Sequence, residues 1–178
     1  MCSSDLSNSA FLQGDSKLIN IVASRLEKVA FIDQTLASCD FRGSQMKNVA
    51  YMGKTDLQGA DFSDAALENV SFKDLKLNGA SFERATMTSV LLSGADLTSV
   101  NMNYVHAPQI QIAEAKLLNA KLQDANLMEC RFDSSNLLGT DFSRANLFSA
   151  SFIDATLGST NFFEANLERT ALQDWQPD

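Results

Sequence analysis

The chain has 178 residues, a formal net charge of −8 and 45% hydrophobic residues, with only two prolines and eight glycines. That length is ample for one core, and so little proline and glycine leaves no room for a long linker, so a single domain over 1–178 is expected. With 22 Asp and Glu against 14 Lys and Arg, no basic groove for direct nucleic-acid binding can be drawn. No apolar run approaches a membrane span, and the Ser-rich start lacks a basic-then-apolar signal pattern, so a soluble, cytoplasmic protein without membrane contact is expected.

In chain order, large apolar residues recur at every fifth position. In the first third these slots are Leu6, Phe11, Ile21, Leu26, Phe31, Leu36, Phe41, Met46 and Tyr51. Residues 14–28 are the weakest stretch: Leu18, Ile19, Val22, Leu26 and Val29 suit a short amphipathic helix after Ser16 as well as an irregular continuation of the coil. Six residues separate Tyr51 from Leu57, which places an added residue at 52–54, near Met52, Gly53 and Lys54, read as a bulge within one domain. From Leu57 to Leu172 the series is broken only at Ala107. Two residues before most slots stands a small one, as at Ala60, Ala80, Ala95, Ala120, Cys130 and Ala145. Beyond Leu172, Trp175 is expected to cap the open C-terminal end, with Phe163 adding apolar area nearby.

A period of five suits neither regular element. On a helix each step turns the mark by about 140°, smearing it round every face, and on a continuous strand an odd step flips the side chain each time. A short extended piece followed by a corner places the small residue and the Leu or Phe on one side. Repeated, it winds a solenoid around one apolar core. Phe fills alternate slots at 62, 72 and 82 and again at 132, 142, 152 and 162. Four sides of five residues stack Phe over Phe, whereas three sides would alternate it with Leu.

Segments such as Ala60-Asp61-Phe62, Ala95-Asp96-Leu97, Ala125-Asn126-Leu127, Ala145-Asn146-Leu147 and Ala165-Asn166-Leu167 resemble the pentapeptide-repeat family, whose pattern is A(D/N)LXX. The resemblance covers most of the chain and implies an all-β fold, a right-handed quadrilateral parallel β-helix of about eight coils. It implies little about function, because one architecture hosts many roles.

Enzyme chemistry has almost nothing to stand on. The single histidine, His106, precludes a multi-histidine metal site or a His-based triad elsewhere, and no Cys-x-x-Cys or glycine-rich phosphate loop occurs. No catalytic residue, metal or cofactor is therefore expected. Cys39 and Cys130 occupy small inward positions, Cys2 lies at the terminus, and three scattered thiols read as inert in a reducing compartment.

Function must come from the outward columns, where residues twenty apart stack. Asp56, Lys76, Asp96 and Lys116, and likewise Asp64, Arg84, Tyr104, Asp124, Arg144 and Glu164, largely alternate in sign and predict ladders satisfied within the surface. Asn126, Asn146 and Asn166 predict an amide ladder. Pro108, Met128 and Phe148 follow slots on one face and Leu118 and Leu138 on the opposite one, an outward apolar set that marks a candidate partner contact. The sparse acidic stripe is Asp74, Glu114, Asp154 and Asp174, interrupted at Gly94 and Ser134. These columns point to a non-enzymatic binding or scaffold protein that presents rigid faces to a macromolecular partner, with a homo-dimer also allowed. The family resemblance supplies an alternative, a DNA mimic that binds a type II topoisomerase such as gyrase, as one branch of the family does in quinolone resistance. A translocated effector is a third reading.

Overall fold

The computed structural model describes residues 5–15 and 21–172. Among these residues eight strands occur: β1 Asp5–Ser7, β2 Ala10–Asp15, β3 Arg25–Glu27, β4 Ala30–Thr35, β5 Gln45–Lys47, β6 Ala50–Met52, β7 Ala66–Glu68 and β8 Thr86–Thr88. All pairing is parallel, in a five-stranded sheet ordered β1-β3-β5-β7-β8 and a three-stranded sheet ordered β2-β4-β6. Regular strand thus spans about four turns, fewer than the eight coils expected from counting slots. The coil itself continues on single bridges, such as Thr86↔His106, His106↔Asn126, Asn126↔Asn146 and Asn146↔Asn166. No helix occurs among the described residues. At 14–28, Gly14 and Asp15 pair with Gln34 and Thr35, Arg25–Glu27 is strand, and residues 16–20 lie outside the described residues.

The corner explains the repeat. In Ala60-Asp61-Phe62-Ser63-Asp64, Ala60 and Phe62 point inward and are fully buried, and the Asp61 carboxylate accepts the Ser63 N–H at 2.9 Å. Asp64 then adopts a left-handed φ of 59°, and Ala65 N–H donates back to the Phe62 carbonyl at 3.1 Å. This is an Asx turn run into a four-residue turn whose third residue has positive φ, the reason Asp or Asn recurs before the slot. Equivalent acceptors are Asp56, Asp96, Asn101, Asn136, Asp141, Asn146, Asn161 and Asn166.

The added residue lies between Met52 and Asp56, since Ile32 pairs with Met52 but Thr35 bridges Asp56. Asp33 Oδ1 accepts the Lys54 N–H at 2.8 Å, and a β-carbon on Gly53 would lie 2.3 Å from that oxygen. Thr55 turns inward, where its hydroxyl accepts the Gln34 N–H at 3.3 Å and donates to the Met52 carbonyl at 2.6 Å. These bonds satisfy polar groups that the broken register would otherwise bury unpaired.

Inside, rings stack coil upon coil: Phe11, Phe31, Tyr51 and Phe72 at 5.0–5.1 Å, and Phe41, Phe62 and Phe82 at 4.7 and 4.9 Å. The two stacks meet edge-on, as between Phe62 and Phe72 at 5.4 Å. Met102 and Leu122, and Leu92 and Ile112, fill the middle coils before the rings resume at Phe132 and Phe142. Tyr51 is buried with its hydroxyl 3.4 Å from Met46 Sδ, and burial pushes its ionisation well above the ordinary phenol range.

Candidate functional site

The core is filled, so binding chemistry falls to the outward columns. Their charges are largely paired. Arg84 makes two hydrogen bonds to Asp64, at 2.8 and 3.1 Å, and also pairs with Glu83. Arg144 does the same to Asp124, at 2.8 Å twice, and Lys116 lies 4.0 Å from Asp96. The guanidinium hydrogen bonds hold the carboxyls of Asp64 and Asp124 below the usual carboxylate range, and Arg42 does so for Asp40.

The amide column is continuous. His106 Nδ1 lies 3.1 Å from Asn126 Nδ2, Asn146 Nδ2 donates to Asn126 Oδ1 at 3.4 Å, and Asn166 Nδ2 donates to Asn146 Oδ1 at 3.1 Å. Across the same face stand Pro108, Met128 and Phe148, each half-buried in consecutive coils, with the Arg169 guanidinium 5.2 Å from the Phe148 ring centre. On the opposite face Leu118 is 37% exposed and Leu138 is half-buried against Gly158, where a β-carbon would meet Leu138 Cδ2 at 2.1 Å.

Asp74, Glu114 and Asp154 are exposed, and Asp174, like Trp175, lies outside the described residues. Two coils separate each of these acids from the next, about 10 Å at strand spacing, comparable with the screening length at physiological salt. Asp74 folds over Gly94, and Lys73 is 4.0 Å away. The stripe therefore consists of separated charges. Cys39 and Cys130 are buried, and burial pushes the Cys130 thiol up to about 12. Among the described residues, no three of His, Cys, Asp and Glu gather in a way that could hold a metal ion.

A further apolar surface lies on the outside of β2, β4 and β6. Leu12 is 67% exposed and Met52 51% exposed, with half-buried Ile32 between them, and Ala10, Ala30 and Ala50 form the adjacent column. Sequence reasoning concentrated on the later repeats and missed it. The signal was there in Ala10-Phe11-Leu12, Ala30-Phe31-Ile32 and Ala50-Tyr51-Met52, where both neighbours of the inward ring are apolar.

Filled parallel coils turned by a corner every five residues, many of them Asx turns, define a four-sided β-solenoid. The chain belongs to the pentapeptide repeat family: the family model described as Pentapeptide repeats matches in eight copies, over residues 65–103, 111–147, 125–162 and 140–174. No curated protein sequence matches it. Among solved structures it is similar to a trypsin-treated form of QnrB1, a plasmid-mediated fluoroquinolone resistance protein, with TM-score 0.77 and 16% identity over 93% of this chain and 84% of that one. A second trypsin-treated form gives TM-score 0.72 and 14% identity over 94% and 85%. HetL, a pentapeptide repeat protein involved in heterocyst differentiation regulation in Nostoc, gives TM-score 0.46 and 24% identity over 95% and 85%.

Proposed function

We propose that this chain is a non-enzymatic binding or scaffold protein, a rigid solenoid whose face bearing Pro108, Met128 and Phe148 engages a macromolecular partner. One observation carries the reading: three apolar side chains stand partly exposed in consecutive coils beside a bonded amide ladder. Such a face is rigid before binding, so little ordering entropy opposes association, and a few desolvated apolar anchors can dominate an interface. Leu118 and Leu138 offer a smaller second contact on the opposite face.

The acidic alternative, a topoisomerase-directed DNA mimic, draws on the net charge of −8 and on exposed Asp74, Glu114 and Asp154. One experiment separates the two. Met128→Ser with Phe148→Ser, and charge reversal at Asp74, Glu114 and Asp154, are compared for partner capture and for direct binding to gyrase. Loss of a captured partner in the Ser variant alone supports the apolar face. Gyrase binding lost only in the charge variant overturns it in favour of the mimic.

A further inference from the structure

We propose that two copies of this chain associate side by side through the outward face of β2, β4 and β6, about a twofold axis parallel to the coil axis. The face is parallel sheet in register, Ala10↔Ala30↔Ala50 in one outward column and Leu12↔Ile32↔Met52 in the other. Over three coils neither column carries a charge. An axis of this direction lays the small column of one copy against the large column of the other, coil for coil. Ala then opposes Leu, Ile or Met, the combination that lets two sheets approach to about 10 Å with interdigitating side chains.

The corners bounding this face match in the same arrangement. Lys28 stands at the corner before Ala30 and Asp33 at the corner after Ile32, both exposed, and among the described residues neither pairs with an opposite charge. The twofold axis brings Lys28 of each copy opposite Asp33 of the other, giving two symmetric ion pairs at the rim. An axis perpendicular to the coil would instead set Lys28 against Lys28 and large side chains against large ones. The column ends at Lys73, so the apolar contact is shorter than a standard interface, and the association is weak and concentration-dependent.

Sedimentation equilibrium of the full chain, carried to several hundred micromolar, tests this. The mass is expected to rise toward twice that of the monomer, and Ile32→Lys or Met52→Lys is expected to raise the dissociation constant at least about tenfold with an unchanged melting transition. If those variants unfold, Ala50→Gln, outward on the opposing column, reads the same contact. Met128→Ser with Phe148→Ser should leave the dimer intact, which keeps this inference distinct from the partner face proposed above. In a Cys2→Ser background, tagged Ala30→Cys chains mixed with Ile32→Cys chains should form a disulfide between position 30 of one copy and 32 of the other. A monomer at every concentration, a dimer indifferent to Ile32→Lys and Met52→Lys, or predominant linkage between two positions 30 would overturn the proposal.

Discussion

The first coils and the later ones bury their interiors by one rule and finish their exteriors by two. Up to Met52 several residues before a slot, Ala10, Arg25, Ala30 and Ala50, have no side-chain acceptor for the N–H two residues on, whereas Asp40 accepts the Arg42 N–H at 3.1 Å. There β4 runs six residues through what is elsewhere a break in the strand, although Asp33 within it still takes a left-handed φ of 54°. On the larger sheet the corners are followed by Val29, Val49, Val70 and Val90, whose branched β-carbons favour extended backbone. Later, Asp or Asn commonly closes the corner and the ladder thins to single bridges. Backbone pairing runs through the later coils as through the early ones, and in the later ones side-chain acceptors at the corners add to it.

The largest effect should come where the two regions are alike. Phe31 is stacked between Phe11 and Tyr51, and Phe142 lies 5.4 Å from Phe162 and edge-on to Phe132 at 5.3 Å. Phe31→Ala and Phe142→Ala should each cost about 3–5 kcal/mol, the range for truncating a buried ring. Urea titration checks both. A cost at Phe31 below about 1 kcal/mol would show that the first coils do not fold cooperatively with the rest.

A smaller effect should separate the regions. The Asp141 carboxylate accepts the Ser143 N–H at 2.9 Å, Asn161 Nδ2 at 3.0 Å and Gln123 Nε2 at 2.8 Å. Removing it in Asp141→Ala should cost about 1–2 kcal/mol, as losing a cap does. Ala30→Ser, at the equivalent place on β4, should change stability by under about 0.5 kcal/mol, because Ala30 supplies no side-chain acceptor that the native corner depends on. Equal effects in the same titration would contradict the division of labour.

The interior was legible because burial imposes the period directly. Leu57, Leu77, Leu97, Leu117 and Leu137 stack in one fully buried column, and the alternation of Phe62 with Leu67 distinguishes four sides from three. The Asx role of Asp61 and its equivalents has a sequence signature too, though spacing alone does not reveal which N–H each accepts. Outward columns are harder to read, since a residue such as Phe148 can be half-covered by Arg169, a contact across coils that no local pattern encodes. Leu12, Ile32 and Met52 carry a local signal, the apolar neighbours on both sides of an inward ring, but their alignment into one face shows only in the sheet register. The sparseness of the acidic stripe was legible, since Gly94 and Ser134 already interrupt Asp74, Glu114 and Asp154 in the sequence.

The smallest expected effect tests the paired charges of the later coils. Asp124 accepts two hydrogen bonds from Arg144, so its carboxyl titrates below the usual range when folded and near the ordinary value of about 4 when unfolded. A lowered folded value means that the unfolded chain takes up the proton first on acidification. The pair's stabilisation is therefore complete above the unfolded value and is lost as the pH falls through the folded one. Because the pair is at the surface, the effect should be slight and should shrink as salt is added. In Arg144→Gln, NMR titration should return the Asp124 carboxyl toward the ordinary value while Asp64, still held by Arg84, stays low. An Asp124 titration unmoved by Arg144→Gln would mean that the alternating column is coincidence of spacing and not a ladder of bonded pairs.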